Sequence, residues 1–170
     1  MAPAQASLLA KLDTQQRVRD FLTNAVASGR ASHAYLFLGA PGAGKLDAAW
    51  ALAQAFLCEQ DGCGACDSCV RVARHTHPDV HYYTPESATG YLIAQTRELL
   101  DDVPLAPIRA KAKVYIIDRA EQLRANTANA LLKTLEEPPE GVMFILLGTS
   151  ADVMLPTIVS RCQCLSLIHI

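Results

Sequence analysis

No apolar run in this 170-residue sequence approaches the roughly 18 residues that a membrane span requires, the best being Val142-Met143-Phe144-Ile145-Leu146-Leu147. The opening residues, Met1-Ala2-Pro3-Ala4-Gln5, lack the basic start and apolar stretch of a secretory signal. Surplus charge is missing too. Fifteen Lys and Arg against seventeen Asp and Glu leave a net charge of −2, which speaks against a protein that coats nucleic acid, though not against a local basic patch. Internal repeats, low-complexity tracts and flexible interdomain linkers are absent. What remains is 51% apolar and 19% charged, enough for the core of one ordinary domain and too apolar for wholesale disorder. The chain reads as soluble and cytoplasmic, with no membrane partner.

Cysteine is concentrated rather than scarce. Of six, Cys58, Cys63, Cys66 and Cys69 fall in one short segment. In a reducing cytosol such a cluster reads as metal ligation before disulfide. Four thiolates complete a closed tetrahedral structural zinc shell, leaving no position for water and hence no catalysis by the metal. The plainer alternative is a loop of reduced thiols. Cys162 and Cys164 lie far downstream and read as strand residues, and His75, His77 and His81 as packing or surface histidines.

Apolar periodicity predicts a helix through Val18, Phe21, Leu22 and Ala25, capped by Asp13 or Thr14 and stopped at Gly29. Residues 34–38, 114–117 and 142–147 are short runs apolar on both faces, the mark of buried parallel strands, and 80–83 is β-prone. Helical patterns occupy 45–57, 91–100 and 127–135. Alternating strands and helices predict an α/β fold with a mostly parallel sheet flanked by helices.

Gly39-Ala40-Pro41-Gly42-Ala43-Gly44-Lys45 follows the first strand and opens a helix, the context a phosphate-binding P-loop requires. Gly39, Gly42 and Gly44 let backbone N–H groups converge on phosphate oxygens, and Lys45 reaches the outer phosphates. The pattern expects Ser or Thr next, to ligate Mg²⁺, but Leu46 stands there and cannot bind a hard cation. The strand Val114-Tyr115-Ile116-Ile117 ends in Asp118, as a Walker B strand does. Arg119 follows, where hydrolysing members carry a glutamate that orients water. Thr149, after the third apolar strand, stands where a residue could sense a γ-phosphate, and a strand-end cap explains it equally well.

These residues resemble the AAA+ clamp-loader ATPases of bacterial DNA polymerase III. The resemblance covers about residues 12–163. It rests on Ser32-His33-Ala34-Tyr35-Leu36-Phe37, the P-loop, the four-cysteine insertion at 58–75 and His77-Pro78-Asp79-Val80. It also rests on Asn129-Ala130-Leu131-Leu132-Lys133-Thr134-Leu135-Glu136-Glu137-Pro138-Pro139 and on Ser160-Arg161-Cys162. It implies an AAA+ core over 1–164 and a place among the gamma/tau and delta subunits, acting on the sliding clamp and primer-template DNA. Leu46 and Arg119 depart from the gamma/tau motor at both catalytic points and resemble the delta-prime stator. That type keeps the fold, binds ATP weakly if at all, and offers a trans arginine finger, matching Arg161 here. The resemblance also implies a lid remainder and a helical collar beyond this stretch.

Two other readings stay open, an ATP-hydrolysing motor of the gamma/tau type and a zinc-binding nucleic-acid module. The near-neutral charge, with only Arg71 and Arg74 after the cysteines, speaks against the second. Finally, Leu165-Ser166-Leu167-Ile168-His169-Ile170 reads like the translation of a transposase adapter end and is expected to be non-native. The alternative is a genuine strand, and the codons decide between them.

Overall fold

A computed structural model describes residues 7–168; Met1-Ala2-Pro3-Ala4-Gln5, read above for a signal, and the tail residues His169 and Ile170 lie outside the described residues. Five strands, β1 (Ala34–Leu38), β2 (Val80–Tyr83), β3 (Lys113–Ile117), β4 (Val142–Gly148) and β5 (Gln163–Ser166), form one sheet in the order β2-β3-β4-β1-β5. Every pairing is parallel. Among the described residues there are six helices, α1 (Gln16–Ala27) ahead of the first strand and α2 (Lys45–Leu57), α3 (Asp67–Ala73), α4 (Ile93–Asp102), α5 (Ala125–Glu136) and α6 (Pro156–Val159) in the crossovers.

Strand alternation sorts the core into two layers. Tyr35, Phe37, Val114, Ile116, Met143, Ile145 and Leu147 face one side, against α1 and α2. Leu36, Leu38, Tyr115, Ile117, Phe144 and Leu146 face the other, against α4, α5 and α6. The central strands β1, β3 and β4 are buried along their whole length, so apart from Lys113, whose ammonium donates to Asp102 O, their sequences read as apolar runs rather than alternating ones. Helix α2 is nearly as enclosed. Ala48, Ala49, Ala51, Ala53 and Ala55 are buried beside Leu52 and Leu57, and small side chains let it lie close against the sheet.

The capping of α1 differs from expectation. Asp13 and Thr14 sit in a 3-10 turn, Asp13–Gln15, and the helix opens at Gln16 with no side-chain cap. The buried Gln15 side chain turns inward instead, donating to Ala43 O at 3.1 Å and to Ile168 O. At the other end Gly29, with φ +69°, makes the left-handed stop, with Arg30 N–H donating to Ala25 O at 3.0 Å. Helix α4 starts at Ile93, not Tyr91, because Leu92 is extended and its N–H donates to Gln95 Oε1 at 2.9 Å. Of the downstream cysteines, Cys164 lies in β5 and Cys162 in the turn before it, a correction for the latter. Leu165 and Ser166 complete β5, an edge strand held by backbone pairing that alternating sequences of any origin can satisfy.

Candidate functional site

Parallel sheets gather loops at the carboxyl ends of their strands, and here those of β1, β3 and β4 surround a cleft of about 410 Å³. Gly42, Gly44, Lys45, Asp118 and Thr149 line it together, so five residues singled out along the sequence converge on one place. Gly39 opens the loop and donates its N–H to Gly148 O at 3.2 Å, tying the exit of β1 to that of β4. Gly42 and Gly44 have φ of +83° and +87°, which glycine adopts without a Cβ penalty. The loop thereby turns straight into α2, whose N-terminus adds positive potential beside Lys45. The Lys45 ammonium donates back across the loop to Gly39 O at 2.5 Å.

Leu46 and Arg119 line the same cleft. Leu46, the second residue of α2, is also partly buried against the core. Arg119 is exposed and has φ +46°, strained backbone for a residue with a side chain. Both Asp118 carboxylate oxygens already accept hydrogen bonds, Oδ2 from Tyr82 Oη at 2.8 Å and Oδ1 from Arg119 N–H at 2.9 Å. Buried Tyr91 donates to Tyr83 O at 2.9 Å and to Asp118 O, pinning the end of β3 to that of β2. Its phenol is pushed up chiefly by burial, then by the Asp118 charge. Glu121 completes the lining, with Oε2 buried and without a hydrogen-bond partner among the described residues. Tyr82, Tyr91 and Glu121 carry no motif, and only the fold reveals them. The donor set suits phosphate, with a lysine and glycine-loop amides, but no hydroxyl at 46 to hold a divalent cation.

Arg161 lies outside this cleft, in the turn between α6 and β5. Its Nε donates to Glu136 Oε1 at 2.8 Å, Nη2 donates to the same oxygen, and Nη1 donates to Thr157 O at 3.0 Å. The Ser-Arg-Cys and Leu-Glu-Glu-Pro-Pro stretches, apart in sequence, thus meet through one guanidinium.

The four clustered cysteines converge as well, their Sγ atoms all within 4.8 Å of one another. Cys58 and Cys66 are 3.8 Å apart, and Cys63 and Cys69 4.0 Å. A tetrahedral ion with Zn–S bonds of about 2.3 Å requires S···S edges of ~3.8 Å, so the set can hold such a metal. Backbone N–H groups of Gln60 and Cys63 point at Cys58 Sγ at 3.3 and 3.4 Å, and that of Cys66 at Cys63 Sγ at 3.3 Å, partners suited to thiolates. The amides of Ala65 and Cys66 bring the Cys63 thiol down to about 6, while burial pushes Cys69 up. Cys66 opens α3, accepting from Cys69 N–H. The histidines stay out: His75 stacks on Trp50 at 3.9 Å, His81 pairs with Asp102 at 3.2 Å, and His77 is buried.

A glycine loop and lysine between β1 and α2, an aspartate closing β3 and a β2-β3-β4-β1-β5 parallel sheet place the molecule among AAA+ type P-loop proteins. A gamma subunit-related protein of DNA polymerase III from Thermotoga maritima has the same fold, with TM-score 0.62 and 21% identity over 87% of this chain and 45% of that one. The chain belongs to the family described as DNA polymerase III, delta subunit, whose model matches residues 14–170. It is 41% identical over 156 residues to the delta' subunit of DNA polymerase III from Bacillus subtilis, covering 90% of this chain and 47% of that protein. It is 42% identical over 152 residues to the tau subunit from Escherichia coli, covering 87% of this chain and 23% of that protein. The chain therefore spans about half the length of the first relative and a quarter of the second. Among the described residues, no helix is long and apolar enough to cross a membrane.

Proposed function

We propose that this chain is the AAA+ core of a non-hydrolysing, delta-prime-like subunit of the DNA polymerase III clamp loader. In this reading it works in the cytoplasm beside gamma/tau and delta subunits, helping to load the sliding clamp onto primer-template DNA. The observation that carries the reading is the composition of the cleft. Gly42, Gly44 and Lys45 line it, with Gly39 opening the loop behind them, a set suited to phosphate, whereas Leu46 and Arg119 stand where hydrolysis calls for a metal-binding hydroxyl and a water-orienting carboxylate. Phosphoryl transfer depends almost wholly on positioning and charge stabilisation, so either change slows it severely. ATP binding in cis is then weak and serves at most to stiffen the domain.

Arg161 acts in trans, its guanidinium stabilising charge on the phosphoryl group transferred in a neighbouring subunit. Cys58, Cys63, Cys66 and Cys69 hold a structural zinc that organises the knob leading into α3. Identity of 42% to the tau subunit, and the unpartnered Glu121 oxygen in the cleft, favour a second reading as an ATP-hydrolysing gamma/tau motor.

One experiment separates the two readings. In the complex assembled with its motor and clamp-opening partners on primed DNA, Arg161→Ala should depress the stimulated ATPase. Arginine fingers of this kind contribute roughly 10³–10⁵ in rate at a single site. Lys45→Ala should matter much less. A complex that Lys45→Ala silences and Arg161→Ala leaves untouched is driven by this chain as a motor, and the stator reading fails.

A further inference from the structure

We propose that Glu136 is the positioning residue for Arg161, holding its guanidinium ready for a neighbouring subunit's nucleotide; this rests on the trans-arginine reading above. Arg161 has five N–H donors. Nε and Nη2 donate to Glu136 Oε1, and Nη1 donates to Thr157 O at 3.0 Å and Ser160 Oγ at 3.4 Å. Four donors are thereby committed within the chain, and one N–H with the positive charge is left for an outside acceptor. A long, rotamer-rich side chain whose exposure is 31% is held in one orientation at the molecular surface.

Glu136 has no evident task in its own helix. It is the last residue of α5, where the helix dipole is negative and a carboxylate is unfavourable. Glu137 caps the same end and Glu140 follows in sequence, and among the described residues neither forms an ion pair. Pro138 and Pro139 keep the helix from continuing past Glu137, fixing where the carboxylate stands. Exposed ion pairs add little to stability, so this one is better suited to setting direction than to holding the fold. A guanidinium released to wander would reach the transferring phosphoryl group in few of its conformers, and misplacement by about 1 Å can cost ~10²-fold in rate.

The test measures kcat and KM of the assembled, DNA-stimulated ATPase. Glu136→Ala should lower kcat roughly tenfold with KM nearly unchanged, and Glu136→Gln, which keeps an acceptor, should recover most of the loss. On an Arg161→Ala background, Glu136→Ala should add nothing, since the two act as one unit. Arg161→Ala alone without effect would remove the trans-arginine reading itself. A loss of activity on Arg161→Ala, with Glu136→Ala causing no loss, a loss that adds to it or a gain, would overturn the positioning role alone.

Discussion

Asp79 is the residue whose replacement should damage this fold most for its size. It is fully buried just before β2, and its carboxylate accepts three backbone N–H bonds, from Ile108 at 2.6 Å and from Arg109 and Ala110 at 2.7 Å. These hold the loop between α4 and β3, while Asp79 O accepts from Val114 N–H at 2.9 Å in β3 itself. Burial alone would push the carboxyl up; the three amides outweigh it and bring it below the ordinary range. Hydrogen bonds to a charged group are worth about 1.5–3 kcal/mol each. Asp79→Asn turns one acceptor oxygen into a donor facing those amides, losing one or two bonds, or roughly 3 kcal/mol. For a chain of this size that is about 6–12 °C in Tm. Because the folded-state pKa is depressed, the contribution is complete above the unfolded value near 3.9 and fades as pH falls through the folded one. Urea unfolding of wild type and Asp79→Asn should therefore show a constant gap from about pH 5 to 8 that closes below about pH 4. A gap under about 0.5 kcal/mol at pH 7, or one that persists in acid, would refute the assignment.

Cys66→Ser should abolish tight binding of one zinc per chain and raise amide exchange over 58–75, while the exchange of β1, β3 and β4 stays slow; metal analysis of protein purified without chelators that finds no zinc, with four freely titrating thiols, would sink the metal site. Tyr91→Phe removes the hydroxyl shared by Tyr83 O and Asp118 O, and should cost about 1–2 kcal/mol in thermal unfolding. If Tm is unchanged, those two carbonyls are satisfied some other way.

The central strands were readable because β1, β3 and β4 are buried on both faces, which favours apolar residues throughout, the buried Lys113 at the start of β3 being paired with Asp102. The cysteine cluster and the glycine loop were readable because their chemistry needs close spacing along the chain. Helix α3 escaped because its seven residues start inside the cysteine segment, where the cap position is held by Cys66 rather than by Ser, Thr, Asp or Asn. Helix α6 is a single turn, too short for periodicity to register. The expected caps at Asp13 and Thr14 failed because Gln15, with no local signature, is spent on the glycine loop through Ala43 O. Glu121, Tyr91 and the pairing of Glu136 with Arg161 depend on contacts between residues distant in sequence, and no local window contains both partners.

That division bears on how far a motif testifies to activity. Several motif residues serve the architecture as well as the chemistry. Gly39 joins β1 to β4, Lys45 spans the loop onto Gly39 O, and Asp118 is tied to Tyr82 and Arg119. Their presence is expected of a folded core whether or not phosphate is ever transferred. Among the described residues, the side chains of Leu46 and Arg119 form no hydrogen bond that ties the loops together. The Leu46 side chain packs against the core, and that of Arg119 stands exposed. Phosphoryl transfer needs a hydroxyl at the first position and a carboxylate at the second, so these two side chains bear on catalysis more directly than residues the fold itself uses.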